Sequence, residues 1–516
     1  MKNAAVAVVL AVSTLSSHAA DPGPRTTIDS GAIEGTRGEG LSIYRGIPYA
    51  AAPVGALRWR PPQPAAAWSG TRRADAFGDD CVQIPFFNPP GPGYVRPQSE
   101  NCLTLNVWAP ATARKGAKPV PVMVWIYGGA FIMGSGAWPG YDGSDLARQG
   151  VIVVNFNYRL GRFGYFAHPA LSRASNGEPV ANYGLLDQMA ALAWVKRNIA
   201  AFGGDASQVT VFGESAGGSS VNSLLTTPAA AGLFDRAISQ SSGDRTYPTL
   251  ASAEQAGVEW AAKLGLGADA TPQALRELSA DAVQNGAKEA PFAMSPIMDG
   301  RVLTTQPSEV FARGQQNKVP LMAGSNSYEQ SLLKWLPGEI EKLYADLGAR
   351  KETILAPYLK DQVDGSETAA AQAVWRDARM AAPARMMTAA MAKAGQPAWL
   401  YRFSYVSKQQ RGKIPGVAHG AELPYVFGNV AGPALYGESA DDRPMARTTS
   451  AYWVRFAKTG DPNGRGETSW PRYANTTDGS LEFTNDGPVT RNALDAARLD
   501  ALEAIRIERL GLPQPR

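Results

Sequence analysis

Two uninterrupted apolar runs constrain the fold of this 516-residue chain more than any other feature. Val120–Ile126 ends at a tyrosine followed by two glycines, and Val151–Val154 leads into a polar segment. Apolar runs that lack alternation and end at turn residues are typical of strands buried on both faces. Such strands belong to parallel sheets, so these two runs predict the centre of a parallel sheet.

A helix and a third strand follow these two runs. Apolar residues between Leu186 and Ile199 recur at helical spacing and stop at Gly203-Gly204, which predicts a helix that ends there. Val209–Phe212 is a short β-branched strand, and Val319–Met322 and Trp399–Phe403 are later strand candidates. The alternation predicts the α/β class, with a mostly parallel central sheet covered by helices.

The pentapeptide Gly213-Glu214-Ser215-Ala216-Gly217 begins directly after the third strand. A Gly-x-Ser-x-Gly pattern between a strand and a helix places the serine on a sharp turn and exposes its hydroxyl above the sheet edge. The two glycines are needed because larger side chains would collide there. We therefore predict that Ser215 is a nucleophile and that the N–H group of Ala216 stabilises an oxyanion.

A serine nucleophile needs a histidine as its base, and the histidine needs a carboxylate that fixes its tautomer. The chain has three histidines: His18 near the N-terminus, His168 before the nucleophile and His419 after it. The chain order that accompanies this serine turn is nucleophile, acid, base, which selects His419 and predicts a structural role for His168. Glu329 is the only carboxylate in the loop after the strand candidate Val319–Met322, which makes it the candidate acid.

Six blocks of sequence occur in the same order as in one known family. They are Tyr44–Ala50, Leu57–Pro62, Glu100–Trp108, Asn182–Gln188, Val211–Gly218 and Thr459–Asn463. On these blocks the chain resembles, from about residue 27 to about residue 510, the type B carboxylesterases, which include cholinesterases and bacterial para-nitrobenzyl esterases. The resemblance implies an α/β-hydrolase fold with large helical insertions. It also implies hydrolysis of small-molecule carboxylic esters through an acyl-enzyme on Ser215, without a cofactor or a metal.

The resemblance extends to the residues around the reacting groups. It implies that Gly129 and Ala130, in the turn after the first buried strand, supply the remaining oxyanion N–H donors. Small residues there let the backbone approach the substrate closely. Phe131 and Phe292 are candidates for lining the acyl pocket. The Gly-Gly-Ala turn also leaves esters of tertiary alcohols open as substrates.

The surroundings of the predicted acid depart from the family pattern. Glu329 aligns with the family glutamate, but the aspartate and glycine that flank it in the family are Tyr328 and Gln330 here. Because of this departure, the family pattern does not predict the geometry around Glu329 or the substrate contacts made there. Ser241 resembles a family serine that supports the acid, and Glu214 is predicted to support the site from beside the nucleophile.

The N-terminus predicts export. Lys2, the apolar stretch Ala4–Val12 and the small residues that follow form a signal peptide over residues 1–20, cleaved after Ala19 or Ala20. The product would be periplasmic or secreted. The remaining residues 21–516 are predicted to form one domain, with a mostly helical excursion at about 245–395.

Two cysteines in an exported chain predict one disulfide, between Cys81 and Cys102. Cholinesterases use a tryptophan inside this loop to hold a quaternary ammonium group. Here the loop contains Phe86, Phe87 and Tyr94 but no tryptophan, which argues against choline esters. Two cysteines and three scattered histidines supply no metal cluster.

Composition excludes several other function classes. The net charge of +4 is small and dispersed, which argues against a nucleic-acid partner. No stretch after the signal peptide is apolar over the 18 or so residues that a membrane span requires. An interfacial lipase is one alternative, although the sequence shows no large apolar lid. A non-catalytic binding protein of cholinesterase type is another, but such proteins typically lose a catalytic residue. The sequence does not indicate an oligomeric state or the physiological ester.

Overall fold

The computed structural model describes residues 23–84, 93–243, 245–285, 294–362, 365–431 and 434–511. The predicted signal peptide, Phe86, Phe87 and Phe292 lie outside these residues. The strands are β1 Arg25–Ile28, β2 Gly31–Glu34, β3 Thr36–Gly38, β4 Leu41–Pro48, β5 Thr71–Arg73, β6 Asp80–Cys81, β7 Gln98–Ser99, β8 Thr104–Pro110, β9 Val120–Ile126, β10 Ile152–Phe156, β11 Tyr165–Phe166, β12 Ala181–Asn182, β13 Gly204–Glu214, β14 Arg236–Gln240, β15 Leu321–Asn326, β16 Ala398–Phe403, β17 Gly479–Thr484 and β18 Gly487–Asn492.

The helices begin at Ser144. They are α1 Ser144–Arg148, α2 Gly161–Gly164, α3 Pro169–Arg173, α4 Tyr183–Asn198, α5 Ala216–Thr226, α6 Leu250–Lys263, α7 Pro272–Arg276, α8 Ala280–Asn285, α9 Pro307–Ala312, α10 Glu339–Leu347, α11 Lys351–Leu359, α12 Glu367–Arg376, α13 Ala382–Lys393, α14 Leu423–Phe427, α15 Arg443–Thr459 and α16 Ala496–Arg509. Among the described residues, no strand interrupts the group α6 to α9 or the group α10 to α13. A π-helical turn, Asp377–Ala381, joins α12 to α13. None of the helices in the described part of the chain combines the length and the apolar character that crossing a bilayer requires.

One large sheet dominates the architecture, with the strand order β18-β17-β16-β15-β14-β13-β9-β10-β8-β4-β3. Neighbouring strands from β10 through β9, β13, β14, β15 and β16 to β17 are parallel. Pairing is antiparallel at both edges, between β17 and β18 on one side and among β10, β8, β4 and β3 on the other. The prediction of a mostly parallel central sheet in an α/β chain is confirmed.

The strands at the centre of the sheet are those that the apolar runs predicted. The run Val120–Ile126 forms all of β9, and all five residues of β10, Ile152–Phe156, are buried. Burial of consecutive residues requires cover on both faces, because side chains alternate between the faces of a strand. Helices supply this cover: α1, α4, α5, α13 and α15 all contact strands of the sheet.

The predicted helix before the third strand is also present. Helix α4 continues into a 3-10 turn that ends at Phe202, and Gly203 follows with φ of 82°. Glycine at such a left-handed position is a common helix C-terminus because it lacks a Cβ. The chain then enters β13, a central strand that ends at Glu214 and so places the pentapeptide at the carboxyl end of the sheet.

Residues 245–395 hold helices α6 to α13 together with β15, and β15 is a full member of the large sheet. Most of the buried side chains from α10 to α12 pack with those of α16 in an apolar cluster separate from the main core. The assignment of residues 21–516 to one domain with a helical excursion stays a prediction.

The predicted disulfide between Cys81 and Cys102 is present, with Cα atoms 4.9 Å apart. It joins the end of β6 to the segment before β8. A crosslink that closes a loop of this length stabilises a fold by about 3 kcal/mol in the chain-entropy model. The bridge therefore ties the N-terminal loop to an antiparallel strand of the large sheet.

Candidate active site

Ser215 lies between the end of β13 and the first residue of α5, with φ of 56° and ψ of −123°. Residues other than glycine rarely adopt this backbone conformation, which costs about 1–3 kcal/mol and persists only where the surrounding structure holds it. The N–H group of Ser215 donates to the carbonyl oxygen of Gln240 at the end of β14, at 3.0 Å. The turn is therefore held by the neighbouring strand, and the Ser215 side chain stays partly exposed.

The glycines of the pentapeptide let the turn pack against the end of β9. A Cβ on Gly217 would lie 2.0 Å from the carbonyl oxygen of Ile126, and one on Gly213 would lie 2.6 Å from the backbone of Gly217. Gly128 approaches from the other side, where an added Cβ would lie 2.9 Å from the Cβ of Ser215. Any side chain at these positions would push the nucleophile away from the turn that follows β9.

Three N–H groups beside the nucleophile have no acceptor within the described ranges. They belong to Gly129, Ala130 and Ala216. Gly129 and Ala130 have φ of 100° and 57°, and the Gly129 carbonyl oxygen accepts from the N–H groups of Ile132 and Met133. Ala216 is the first residue of α5, where free N–H groups and the helix dipole favour negative charge. These N–H groups are available to an oxyanion formed at Ser215.

His419 and Glu329 are brought together across the end of the sheet. The two side chains meet with 2.5 Å between His419 Nδ1 and Glu329 Oε2. The other carboxylate oxygen of Glu329 accepts from the N–H group of Asn326, at 2.7 Å, and Glu329 is fully buried. The backbone N–H group of His419 donates to Ser331 Oγ, at 3.0 Å. The loop after β15 thereby holds both the carboxylate and the backbone of the histidine.

Glu214 approaches the other ring nitrogen of the same histidine. Its Oε1 lies 3.1 Å from His419 Nε2, which is within ion-pair distance but without hydrogen-bond alignment, since both atoms lack a hydrogen-bond partner among the described residues. Burial raises the pKa of Glu214 to about 8. Burial opposes charge on His419 as well, but the attraction of Glu214 and Glu329 outweighs it and raises the pKa of His419 to about 9.

Glu422 is a third buried carboxylate at this site, and the sequence analysis missed it. It accepts hydrogen bonds from Gln240 Nε2 at 3.0 Å and from Asn326 Nδ2 at 2.6 Å. Burial raises its pKa. A signal was available, because Glu422 is the only acidic residue between positions 404 and 437 and lies three residues after His419.

The remaining predicted residues lie in different surroundings. Phe131 is fully buried and packs with Tyr165 and Ala216, so it borders the nucleophile. Ser241 is buried with φ of 45°, and its hydroxyl has no hydrogen-bond partner in the part of the chain that the structure describes. The supporting role of Ser241 and the pocket role of Phe131 stay predictions. His168 accepts from the N–H group of Ala170 and caps α3, which is a structural role.

A parallel sheet that presents a serine on a strained strand-to-helix turn defines a hydrolase of α/β type. Residues 22–501 match the model of the Carboxylesterase family, and the chain belongs to this family of carboxylic ester hydrolases. The predicted resemblance to type B carboxylesterases is thereby confirmed.

Individual relatives cover most of the chain. It is 40% identical to the fumonisin B1 esterase of Sphingopyxis macrogoltabida over 474 residues, which cover 86% of this chain and 83% of that protein. It is 36% identical to the para-nitrobenzyl esterase of Bacillus subtilis over 488 residues, or 89% of this chain and 96% of that protein.

Solved structures agree with this assignment. A structure of PNB esterase superposes with a TM-score of 0.79 at 33% identity, and it covers 93% of this chain and 99% of that one. The carboxylesterase EST55 of Geobacillus stearothermophilus superposes with a TM-score of 0.80 at 31% identity, with the same shares covered. The predicted α/β-hydrolase fold is confirmed.

Proposed function

We propose that this esterase acts through an acyl-enzyme on Ser215, with His419 as general base and acid and Glu329 as the residue that orients His419. The observation that carries this proposal is the buried His419–Glu329 pair, whose free ring nitrogen lies 3.1 Å from Glu214, the residue directly before a serine held in a strained turn. Glu329 fixes the proton on Nδ1, which leaves Nε2 to accept the proton of the serine hydroxyl.

The reaction then proceeds in two halves. Ser215 Oγ attacks the ester carbonyl carbon while His419 takes its proton, and the oxyanion forms beside the N–H groups of Gly129, Ala130 and Ala216. The bond to the alcohol breaks, and His419 returns the proton to the leaving alcohol. Water, activated by His419, then attacks the acyl-enzyme and releases the carboxylic acid.

The three carboxylates around His419 favour the charge that develops on it. During attack the imidazole becomes an imidazolium, and Glu214, Glu329 and Glu422 all lie close enough to act on its pKa. Their burial makes this electrostatic stabilisation stronger than it would be in water. Gln240 and Asn326 hold Glu422 in place by hydrogen bonds, so Glu422 acts as a positioning residue.

Covalent labelling tests the assignment of the nucleophile. An alkyl fluorophosphonate should form one adduct per chain, on the tryptic peptide that contains Ser215, and the adduct should abolish hydrolysis of para-nitrophenyl butyrate. Mass spectrometry of the digest identifies the modified residue. Ser252→Ala, which changes an exposed serine at the start of α6, should label as the wild type does. An inactivating adduct on any other residue would contradict the proposal.

The pH dependence of kcat/KM tests the role of the carboxylates around the base. His419 accepts a proton only while it is neutral, and its pKa is raised to about 9, so kcat/KM should rise with pH up to that value. Glu214→Gln removes one charge that raises this pKa. We expect the acidic limb of the profile to move to lower pH by about one unit.

The control for this measurement is a carboxylate far from the base. Glu309→Gln changes an acidic residue on α9 that pairs with Arg313, and it should leave the profile unchanged. If Glu214→Gln left the limb in place or moved it to higher pH, the carboxylate would not act on His419.

A further inference from the structure

The turn that carries two of the oxyanion donors folds back on itself and ends at Gly134. The Gly129 carbonyl oxygen accepts from the N–H groups of Ile132 and Met133, at 3.0 and 3.1 Å. A Cβ on Gly129 would lie 2.1 Å from the Met133 carbonyl oxygen. A Cβ on Gly134 would lie 2.9 Å from the carbonyl oxygen of Gly128. The peptide unit that joins Met133 to Gly134 therefore packs against the start of the turn.

The side chain of Gln83 fixes the orientation of this peptide unit. Its Oε1 accepts from the Gly134 N–H group at 2.7 Å, and its Nε2 donates to the Gly134 carbonyl oxygen at 3.0 Å. Within the described ranges no other group bonds to the N–H or the carbonyl oxygen of Gly134. Because a peptide unit is planar, holding the Gly134 N–H group also fixes the Met133 carbonyl oxygen, which lies against Gly129.

Gln83 is itself held by the disulfide loop, since it lies two residues after Cys81. It is 5% exposed, and its Nε2 also donates to the Cys81 carbonyl oxygen at 3.1 Å. Its backbone N–H group donates to Gln98 Oε1 at 3.1 Å, and its carbonyl oxygen accepts from Gln284 Nε2 on α8. The bridge to Cys102 ties this loop to the segment before β8. The glutamine is therefore anchored by elements other than the turn that it holds.

We propose that Gln83 is a positioning residue of the oxyanion turn, which keeps the N–H groups of Gly129 and Ala130 where the transition state requires them. This inference rests on the proposed acyl-enzyme mechanism. Gln83 acts through the peptide unit before Gly134 and not on the reacting atoms. An N–H donor stabilises an oxyanion only within a narrow range of positions, and a displacement of about 1 Å can lower the rate by about 10²-fold.

The chain offers a matched control for this glutamine. Gln306 is also buried, and it forms the same pair of hydrogen bonds with the backbone of Tyr247, at 3.0 and 2.8 Å. Tyr247 precedes α6 and lies outside the oxyanion turn. Gln83→Met and Gln306→Met each remove two such bonds and keep the length of the side chain. Both variants should therefore lower the unfolding temperature by a similar amount.

Steady-state kinetics report on the position of the oxyanion donors. In Gln83→Met we expect kcat for para-nitrophenyl butyrate to fall about 10- to 100-fold while KM changes by less than about 3-fold, because both half-reactions pass through an oxyanion. Gln306→Met should keep kcat and KM within about 3-fold of the wild type, because it leaves the oxyanion turn in place.

A reversible inhibitor reads the oxyanion donors directly. In the trifluoromethyl ketone that carries the butyryl group, Ser215 Oγ adds to the carbonyl carbon, the serine proton passes to His419, and the carbonyl oxygen becomes an oxyanion. The Ki of this ketone should rise about 10- to 100-fold in Gln83→Met, in parallel with the loss of kcat. Gln306→Met should bind the ketone as the wild type does.

A conservative variant tests the same contact in a second way. Gln83→Asn keeps the amide but shortens the side chain by one methylene, so we expect it to keep one of the two bonds to Gly134. Its losses in kcat and in affinity for the ketone should lie between those of the wild type and of Gln83→Met. If Gln83→Met did not fold, the same measurements on Gln83→Asn would decide.

Several results would overturn the inference. Kinetics of the Gln83 variants equal to those of the wild type or of Gln306→Met would do so, as would a rise in KM alone. A fall in kcat without a parallel rise in Ki for the ketone would show that Gln83 does not act on the oxyanion donors. If the wild type neither hydrolysed the ester nor bound the ketone, the proposed function would fail instead.

Discussion

Ser215→Ala is expected to lower kcat for para-nitrophenyl butyrate by at least about 10⁴-fold. Without the hydroxyl no acyl-enzyme forms, and His419 has no serine proton to accept. The free N–H groups of Gly129, Ala130 and Ala216 stay in place, so a slow residual reaction with water above the uncatalysed rate is expected. Initial rates at saturating substrate, with the burst of para-nitrophenol measured by stopped flow, give both the loss and the disappearance of the acylation phase.

The matched control for this variant is the exposed Ser252→Ala, which should keep wild-type kcat. The Ser215 side chain is only partly buried, so Ser215→Ala should unfold within a few degrees of the wild type. A folded Ser215→Ala variant that retained more than about 1% of wild-type kcat would show that another group is the nucleophile.

Glu329→Gln is expected to lower kcat by about 10³- to 10⁴-fold. The glutamine has nearly the shape of the glutamate, but its amide carries no charge to stabilise the imidazolium. It can also place an N–H group against Nδ1 and hold the wrong tautomer of His419. The N–H group of Asn326, which donates to Glu329 at 2.7 Å, can donate to the amide oxygen and favour this orientation. Steady-state kcat and KM across pH 6 to about 10 give the size of the loss and show whether alkaline pH recovers activity.

Glu309→Gln, at a partly buried residue of α9 that pairs with Arg313, is the control for a lost carboxylate. Glu422→Gln is the more demanding comparison, because this carboxylate is equally buried but contacts Gln240 and Asn326 rather than His419. Glu422→Gln should lower kcat by a smaller factor than Glu329→Gln does. A loss below about 10-fold in Glu329→Gln would mean that a different carboxylate orients the base.

The central strands could be predicted from the sequence because their burial is a local property. Val120–Ile126 and Ile152–Phe156 are covered on both faces, so every residue except Asn155 is apolar and the pattern is visible without knowledge of the partner strands. The antiparallel edge strands were not predicted. β4, Leu41–Pro48, mixes buried and partly buried residues and shifts register between Tyr44 and Ile47, so its sequence has no simple period.

The buried carboxylates around His419 show the limits of sequence analysis more clearly. Glu422 lies in a segment that could be a surface loop by composition. In the structure it is fully buried and accepts hydrogen bonds from Gln240 at the end of β14 and from Asn326 at the end of β15. Neither hydrogen bond follows from residue type or spacing.

The strained serine turn is what the sequence by itself determined about this protein. The glycines on either side of Ser215, the β-branched strand before it and the helix after it act through short-range collisions and backbone angles, which neighbouring residues decide. Only the tertiary structure decided what surrounds Ser215. His419 and Glu329 are 90 residues apart in the chain, and their 2.5 Å contact exists because β15 ends beside the loop that carries the histidine. The distance between residues so far apart depends on the packing of the whole sheet, to which every strand contributes.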